Sequence, residues 1–425
     1  MKSNPVIAFG VLVLLITFSV PIARRVARSE RDPRLYSLVI AAAVTHLFFT
    51  VVQIWVVNHV YHGIADYTRY LNQAAVLGRH FDRFDFSVSS VGPILGNGSV
   101  GIAGGVVMAI VGVNKLATMW VFSWLAFLAT VCFYKAFAVT FPDAARRRYA
   151  YLVFFWPSIL FWTAGLSKET MMFIGFGVGA YGAALILAHR RGGAILLVIG
   201  TVIGIYVRPQ EILLFLAAFA VAGLFRRKSG KSLRGVRRLL VMALQAALLI
   251  FAVALSQQLA KKAPVFNLNQ LAQNARGSGQ GSTVAYHPGP AGYLNDVYTV
   301  LLRPLPFNAH GNTQRVAALE NTLFIILVLT SLRRIVHLPR AAFVRPYVMM
   351  SLLFTIAFPY AFAALANLGL IDRERVMLWP FLLVLLALPI SPRGSPPILP
   401  WEASAKRRQR AAQRSVWSSR VPARR

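Results

Sequence analysis

Acid, cysteine and charge in general are scarce in this chain. Of 425 residues, 13 are Asp or Glu and one, Cys132, is a cysteine. A lone cysteine excludes an intrachain disulfide framework and a cysteine-based metal centre. Charged residues make up 14% of the chain, where a soluble globular protein carries about a quarter. Apolar and polar residues do not alternate at every second position, which argues against a β-barrel.

What the chain has instead is continuous apolar sequence, 57% hydrophobic overall. Runs of about 18 or more apolar residues are each long enough to cross a hydrocarbon layer of roughly 30 Å as a helix. The expected fold is an all-α, polytopic transmembrane bundle of about eleven spans. The runs are 5–23, 36–58, 115–139, 149–166, 170–188, 194–207, 212–225, 239–259, 317–332, 347–367 and 376–390. Residues 1–393 then form the membrane domain, with large loops at 59–100 and 260–316, and 394–425 form a basic, disordered cytoplasmic tail. Residues 101–113, apolar and glycine-rich, read as an interfacial or re-entrant helix. Run 5–23 is expected to be retained as a helix, because Arg24, Arg25 and Arg28 follow it without a small-residue cleavage site.

A net charge of +32 points to topology rather than to nucleic acid, because the basic residues sit in short clusters between apolar runs. Alternate connections, 24–34, 146–148, 190–191, 226–238 and 333–345, are arginine-rich, as is the tail. The positive-inside rule assigns them to the cytoplasm of a cell membrane, with the N-terminus outside and the C-terminus inside. The other connections carry most of the acids, including Asp66, Asp82, Asp85, Glu169, Glu211, Asp296, Asp372 and Glu374.

Several short motifs on that second face carry chemistry. In ADYTRY, Asp66 and Tyr70 fall four apart, on one helical face. A carboxylate there suits a general base or a bound cation, and Tyr67 and Tyr70 offer flat surfaces for sugars. An interfacial amphipathic helix explains the same spacing. In FWPSILFWTAGLSKET, Lys168 and Glu169 are held between two apolar runs with almost no loop, costly unless paired or functional. Arg208 and Glu211 close the next hairpin in YVRPQE, and a guanidinium fork suits a phosphate. Cations at the same end of successive hairpins are expected to make one electropositive pocket. The loop 260–316 adds Arg303 and His310, within RPLPFNAH, while His287 and Asp296 are weaker candidates. Arg373 and Arg375 in IDRERV stand against the positive-inside rule, so either an anionic ligand or a mutual salt-bridge network holds them. No motif supports a cofactor; a divalent metal stays an alternative, at Asp66 or at the pair Asp82 and Asp85 in FDRFDF, for which no third ligand is evident.

An acidic residue in a first large loop, the WPSILFWTAGLSKE hairpin, the RP hairpin, a late long loop ending in RPLPF and an arginine-bearing turn before a final helix together resemble the GT-C superfamily. The resemblance covers most of residues 60–390 and extends to polytopic membrane proteins of actinobacteria. It implies a glycosyltransferase or glycan polymerase that uses a polyprenyl-phosphate-linked sugar and a glycan acceptor on the non-cytoplasmic face. Asp66 would be its catalytic base. Lys168, Arg208, Arg373 and Arg375 would hold the donor phosphate. The chain departs from the pattern by placing two helices, not one, before the first loop, and by lacking an acidic pair at Asp66. The competing reading is a transporter or flippase of a lipid-linked or anionic solute, which would place ionisable residues midway along spans.

Overall fold

The computed structural model describes residues 4–60, 66–88, 94–142, 146–225, 292–309, 311–362 and 368–389. The expected span 239–259, most of the loop 260–316, His287, His310 and the tail 394–425 lie outside the described residues. Among the described residues every regular element is helical. The helices are α1 Pro5–Glu30, α2 Arg34–His59, α3 Asp66–Phe81, α4 Ser99–Val111, α5 Lys115–Thr140, α6 Arg147–Phe155, α7 Pro157–Trp162, α8 Lys168–Leu187, α9 Gly193–Val207 and α10 Pro209–Leu224. After residue 291 come α11 Tyr293–Leu302, α12 Asn312–Leu329, α13 Leu332–Val336, α14 Leu338–Val344, α15 Pro346–Phe362, α16 Leu368–Glu374 and α17 Trp379–Leu386.

Among the described residues, five helical stretches are long and apolar enough to cross a membrane: Pro5–Glu30, Arg34–His59, Ile94–Val111, Lys115–Thr140 and Lys168–Leu187. Three shorter apolar helices, Gly193–Val207, Pro209–Leu224 and Pro346–Pro359, accompany them. The chain is a helical membrane protein. Its sequence punctuation is local and readable: Asn4, Asn114 and Ser167 cap α1, α5 and α8 through side-chain oxygens that accept from the backbone N–H two or three residues on.

Two apolar runs depart from the sequence expectation. Run 149–166 is not one helix, because Pro157 cannot continue α6 and holds Trp156 in an extended conformation, so the chain restarts as α7. Run 376–390 forms no long helix either. Its regular core is α17, eight residues, every one buried. At about 1.5 Å per residue it rises only about 12 Å. Phe381 on α17 meets Phe133, Phe176, Phe215 and Phe354 at ring separations of 4.7 to 6.2 Å, so this apolar run is packed among the other helices of the bundle.

Residues 101–113 form most of α4, preceded by Leu95 and Gly96 in non-helical conformations. α4 runs alongside α3 in the same direction, with Ala74 against Gly104, Leu77 against Gly105 and Gly78 against Met108. The pair covers one end of the bundle, since Gly104 also meets Leu166 and Lys115 stacks on Tyr67.

The arginine-rich connections gather at the other end. Glu30 accepts from Lys135 at 2.8 Å and from Arg146. Arg147 grips Asp32 through two nitrogens at 2.7 and 3.0 Å and holds its carboxyl below the usual carboxylate range. Arg148 donates to Ser331, Arg345 to the carbonyl of Thr140 and Arg334 to that of Leu388.

α8 and α9 cross at backbone distance. A Cβ on Gly200 would stand 2.4 Å from the Gly175 oxygen and the Gly179 nitrogen, and one on Gly182 would stand 2.4 Å from the Leu197 nitrogen. Small residues of this kind let membrane helices approach closely. Gly200→Leu is therefore expected to separate α8 from α9, with a cost above the usual overpacking of about 1–3 kcal/mol. The monodisperse peak in size-exclusion chromatography should be lost and the thermal midpoint should fall. Gly10→Leu, where an added Cβ meets nothing within 4 Å, should change neither.

Candidate functional site

At the end covered by α3 and α4, four separate segments bring ionisable side chains into contact. Glu169 stands in the first turn of α8, where the N-terminal end of the helix favours a carboxylate. Its position is set from α2: Gln53 donates to the carbonyl of Phe161 at 2.9 Å, and Thr50 to that of Ala164 at 2.7 Å. Arg208 lies between α9 and α10 in a non-helical conformation, as the following Pro209 favours. Arg373 and Glu374 end α16, and Asp66 begins α3.

Glu169 Oε1 receives Arg208 Nη2 and Arg373 Nη2, both at 3.1 Å. Arg208 Nη1 also donates to Glu211 at 3.1 Å and to Glu374. Arg373 Nη1 donates to Asp66 Oδ2 at 2.9 Å, and its guanidinium lies 5.8 Å from the ring centre of Trp162. The chain of contacts therefore runs Asp66, Arg373, Glu169, Arg208, then Glu211 and Glu374. Lys168 stands beside it, half-buried and close enough to feel the charges of Arg208, Glu169, Glu374 and Asp66. Among the described residues it has no carboxylate within 4.0 Å.

This geometry changes the expected electrostatics. An electropositive pocket was expected, yet both arginines are matched: four carboxylates meet two guanidinium groups. Burial pushes the Glu374 carboxyl up from its ordinary range, against the pull of Arg208. Asp66 is the open end of the network, its side chain 58% exposed, whereas Glu169 is 2% exposed.

The other expected site residues lie apart from the network or play a packing role. Tyr67 and Tyr70 are buried, so their faces are covered rather than offered to a sugar. The Tyr70 hydroxyl donates to Asn97 at 3.0 Å, and burial raises it well above the usual phenol range, helped by Asp66 and Glu169. Arg375 is 1% exposed. It pairs with Asp372 at 2.8 Å, donates to the carbonyls of Val300 and Leu301 at 3.2 Å, and lies over Trp379. Arg375 is therefore a clamp between α16 and α11 rather than a phosphate ligand. Arg303 stacks near Tyr298, also away from the network. His310 lies outside the described residues.

Two features escape the sequence reading. Trp162, half-buried beside Arg373, supplies the flat surface that Tyr67 and Tyr70 do not. Glu320, midway along α12 and buried, accepts from the Trp156 indole at 3.0 Å and the Ser158 hydroxyl at 2.5 Å. Unlike the members of the ion-pair network, it stands midway along a helix rather than at a helix end. The signal was a single acid inside the apolar stretch VAALENTLF.

No protein-family model, curated protein or solved structure matches the chain. Its class, a polytopic helical membrane protein with an ion-pair network at one end of the bundle, therefore rests on the fold and the site alone.

Removing one member of a buried charge network leaves its partners uncompensated, at about 3–5 kcal/mol. Glu169→Gln should thus lower the thermal midpoint of the purified protein sharply. Asp66→Asn, at the exposed end, should alter stability by no more than about 1 kcal/mol. Equal effects of the two substitutions in a thermal-shift measurement would contradict this order of burial.

Proposed function

We propose that this chain is an integral-membrane glycosyltransferase or glycan polymerase of the GT-C type, using a polyprenyl-phosphate-linked sugar on the non-cytoplasmic face of the cytoplasmic membrane for cell-envelope or exopolysaccharide assembly. The observation that carries the reading is the convergence of Asp66, Lys168, Glu169, Arg208 and Arg373 from four segments at one end of the bundle. Purely structural salt bridges do not require an exposed carboxylate held by a half-buried arginine beside a half-buried lysine. Orientation follows from the opposite end, whose arginine-rich connections belong in the cytoplasm. The N-terminus then lies outside and the C-terminus inside. The count of about eleven spans belongs to the same reading.

Asp66 has one carboxylate oxygen fixed by Arg373 and a side chain open to solvent, which suits a general base. It takes the proton of an acceptor hydroxyl as the acceptor oxygen bonds to the anomeric carbon. The bond from that carbon to the phosphate oxygen breaks, and polyprenyl phosphate departs with the electron pair. Fixed cations help most where such charge develops. Lys168 is the cation placed for that task, while Arg208 and Arg373, matched by carboxylates, hold Glu169 and Asp66 in position. Trp162 offers a sugar its flat face.

One observation favours the alternative, a transporter or flippase of a lipid-linked or anionic solute: the buried carboxyl of Glu320 midway along α12, where proton-coupled carriers keep their ionisable groups. The two readings separate in cells. With Asp66→Asn as the sole copy, the enzyme reading expects polyprenyl-phosphate sugar to accumulate outside and the glycan product to fall by about 10²-fold or more, the scale of general-base catalysis. An unchanged glycan profile sinks it. Lipid-linked sugar held on the cytoplasmic side, most strongly with Glu320→Gln, would select the carrier.

Sidedness is testable on its own. In a Cys132→Ser background, Thr68→Cys on the exposed face of α3 should react with a membrane-impermeant maleimide added to intact cells. Labelling only after the cytoplasmic membrane is opened would invert the topology.

A further inference from the structure

Where α16 meets α11 and α12, a second group of charges is out of balance. Asp372 and Arg375 approach to 2.8 Å through one nitrogen and one oxygen. The two-pronged fork that Arg147 gives Asp32 at the other end is not made here. Arg375 uses its other terminal nitrogen, Nη1, on the carbonyls of Val300 and Leu301 at 3.2 Å, and its Nε has no hydrogen-bond partner among the described residues. A guanidinium that is 1% exposed therefore holds its one close carboxylate by a single prong.

Glu320 on α12 tips the balance further. Its charge is close enough to oppose ionisation of Asp372, while its own partners, the Trp156 indole and the Ser158 hydroxyl, are neutral donors. Asp372 thus stands between one guanidinium that favours its charge and one carboxylate that resists it. Of the elements packed against α16, α7 carries no titratable side chain. α11 brings Asp296, Tyr293 and Tyr298, with Arg303 just past its end and beside Tyr298. The neighbours Arg373 and Glu374 are engaged in the ion-pair network.

Negative charge held away from water and only partly matched is costly, and a proton is the smallest particle that removes it. The Asp372 side chain is 14% exposed, which leaves water a way to deliver one. α16 lies between the apolar runs 347–367 and 376–390, outside both. Burial pushes the Asp372 carboxyl up to about 6, against the pull of Arg375 and with help from Glu320.

We propose that Asp372 is a proton-binding site and that the proton it takes up loosens the clamp of Arg375 on α11. With the carboxylate neutralised, the guanidinium keeps its two carbonyl contacts but loses the charge that aims it. The site works in the same way whether the chain is a transferase or a carrier. The sign of its pH dependence is distinctive. The folded chain binds this proton more tightly than an ordinary aspartate at 3.8, so acidification from about 6 toward 3.8 stabilises the fold through Asp372. A salt-bridged aspartate with a lowered value, such as Asp32, does the reverse.

Wild type and Asp372→Asn, each as the full chain purified in detergent, are compared by thermal midpoint from about pH 7.5 to about pH 5. The difference should move in favour of the wild type on acidification, half complete near pH 6. Movement in favour of the Asn variant, the response of an ordinary salt bridge, overturns the proton site, and so does no movement. The clamp is read separately, at Thr299, which is 3% exposed and adjoins Val300 on α11. In a Cys132→Ser background, the maleimide rate of Thr299→Cys is divided by that of Thr68→Cys, at an exposed position of α3, at the same pH. That ratio should rise severalfold as pH falls through about 6, and should be high at every pH once Asp372→Asn is added. A ratio indifferent to pH or to Asp372→Asn overturns the clamp. Should Asp372→Asn fail to give a monodisperse protein, Glu320→Gln serves in its place. It should move the half-point of the labelling ratio to lower pH, and an unmoved half-point counts against the proposal.

Discussion

Glu169 is the residue on which the arrangement at one end of the bundle depends. A single carboxylate oxygen, almost fully buried, accepts from two arginines that arrive from the α9–α10 junction and from α16. Without it, two guanidinium groups would face each other in a low-dielectric interior, and neither hairpin would have reason to close on the other. With it, Arg208 gathers Glu211 and Glu374, and Arg373 reaches out to Asp66. Burial makes each of these contacts strong and makes the omission of any one costly. The exposed end of the network is consequently fixed by its buried end.

Much of this was legible in the sequence, and the reason is electrostatic. Arginines cluster in alternate connections, so Lys168, Arg208 and Arg373 could be placed at one end from charge bookkeeping, and the structure brings them together. Their partners were not legible in the same way. Arg208 and Glu374 are 166 positions apart, and nothing local to either states that the cation will be met by a carboxylate rather than left for a ligand. The expected electropositive pocket failed on that tertiary fact.

The fold shows the same division. Caps at Asn114 and Ser167 and the break at Pro157 follow from local chemistry. The last apolar run does not, because continuous hydrophobicity describes a lipid-facing span and a helix packed on every side equally well. Only the surrounding rings of Phe133, Phe176, Phe215 and Phe354 distinguish α17 as the second. Glu320 was hidden for a related reason. One acid in an apolar stretch is easily averaged away, although its hydrogen bonds to Trp156 and Ser158 show a position built to hold it.

Seven residues make up α16, fewer than two full turns. Arg373 and Glu374 belong to the ion-pair network, while Asp372 and the adjoining Arg375 lock against α11 through the carbonyls of Val300 and Leu301. So short a rod has no room to bend between its two sets of attachments. A ligand that drew Arg373 away from Asp66 would tilt the whole rod and pull on the stretch of chain that follows residue 291. Occupancy of the ion-pair network and the seating of α11 are in this way joined through one short helix.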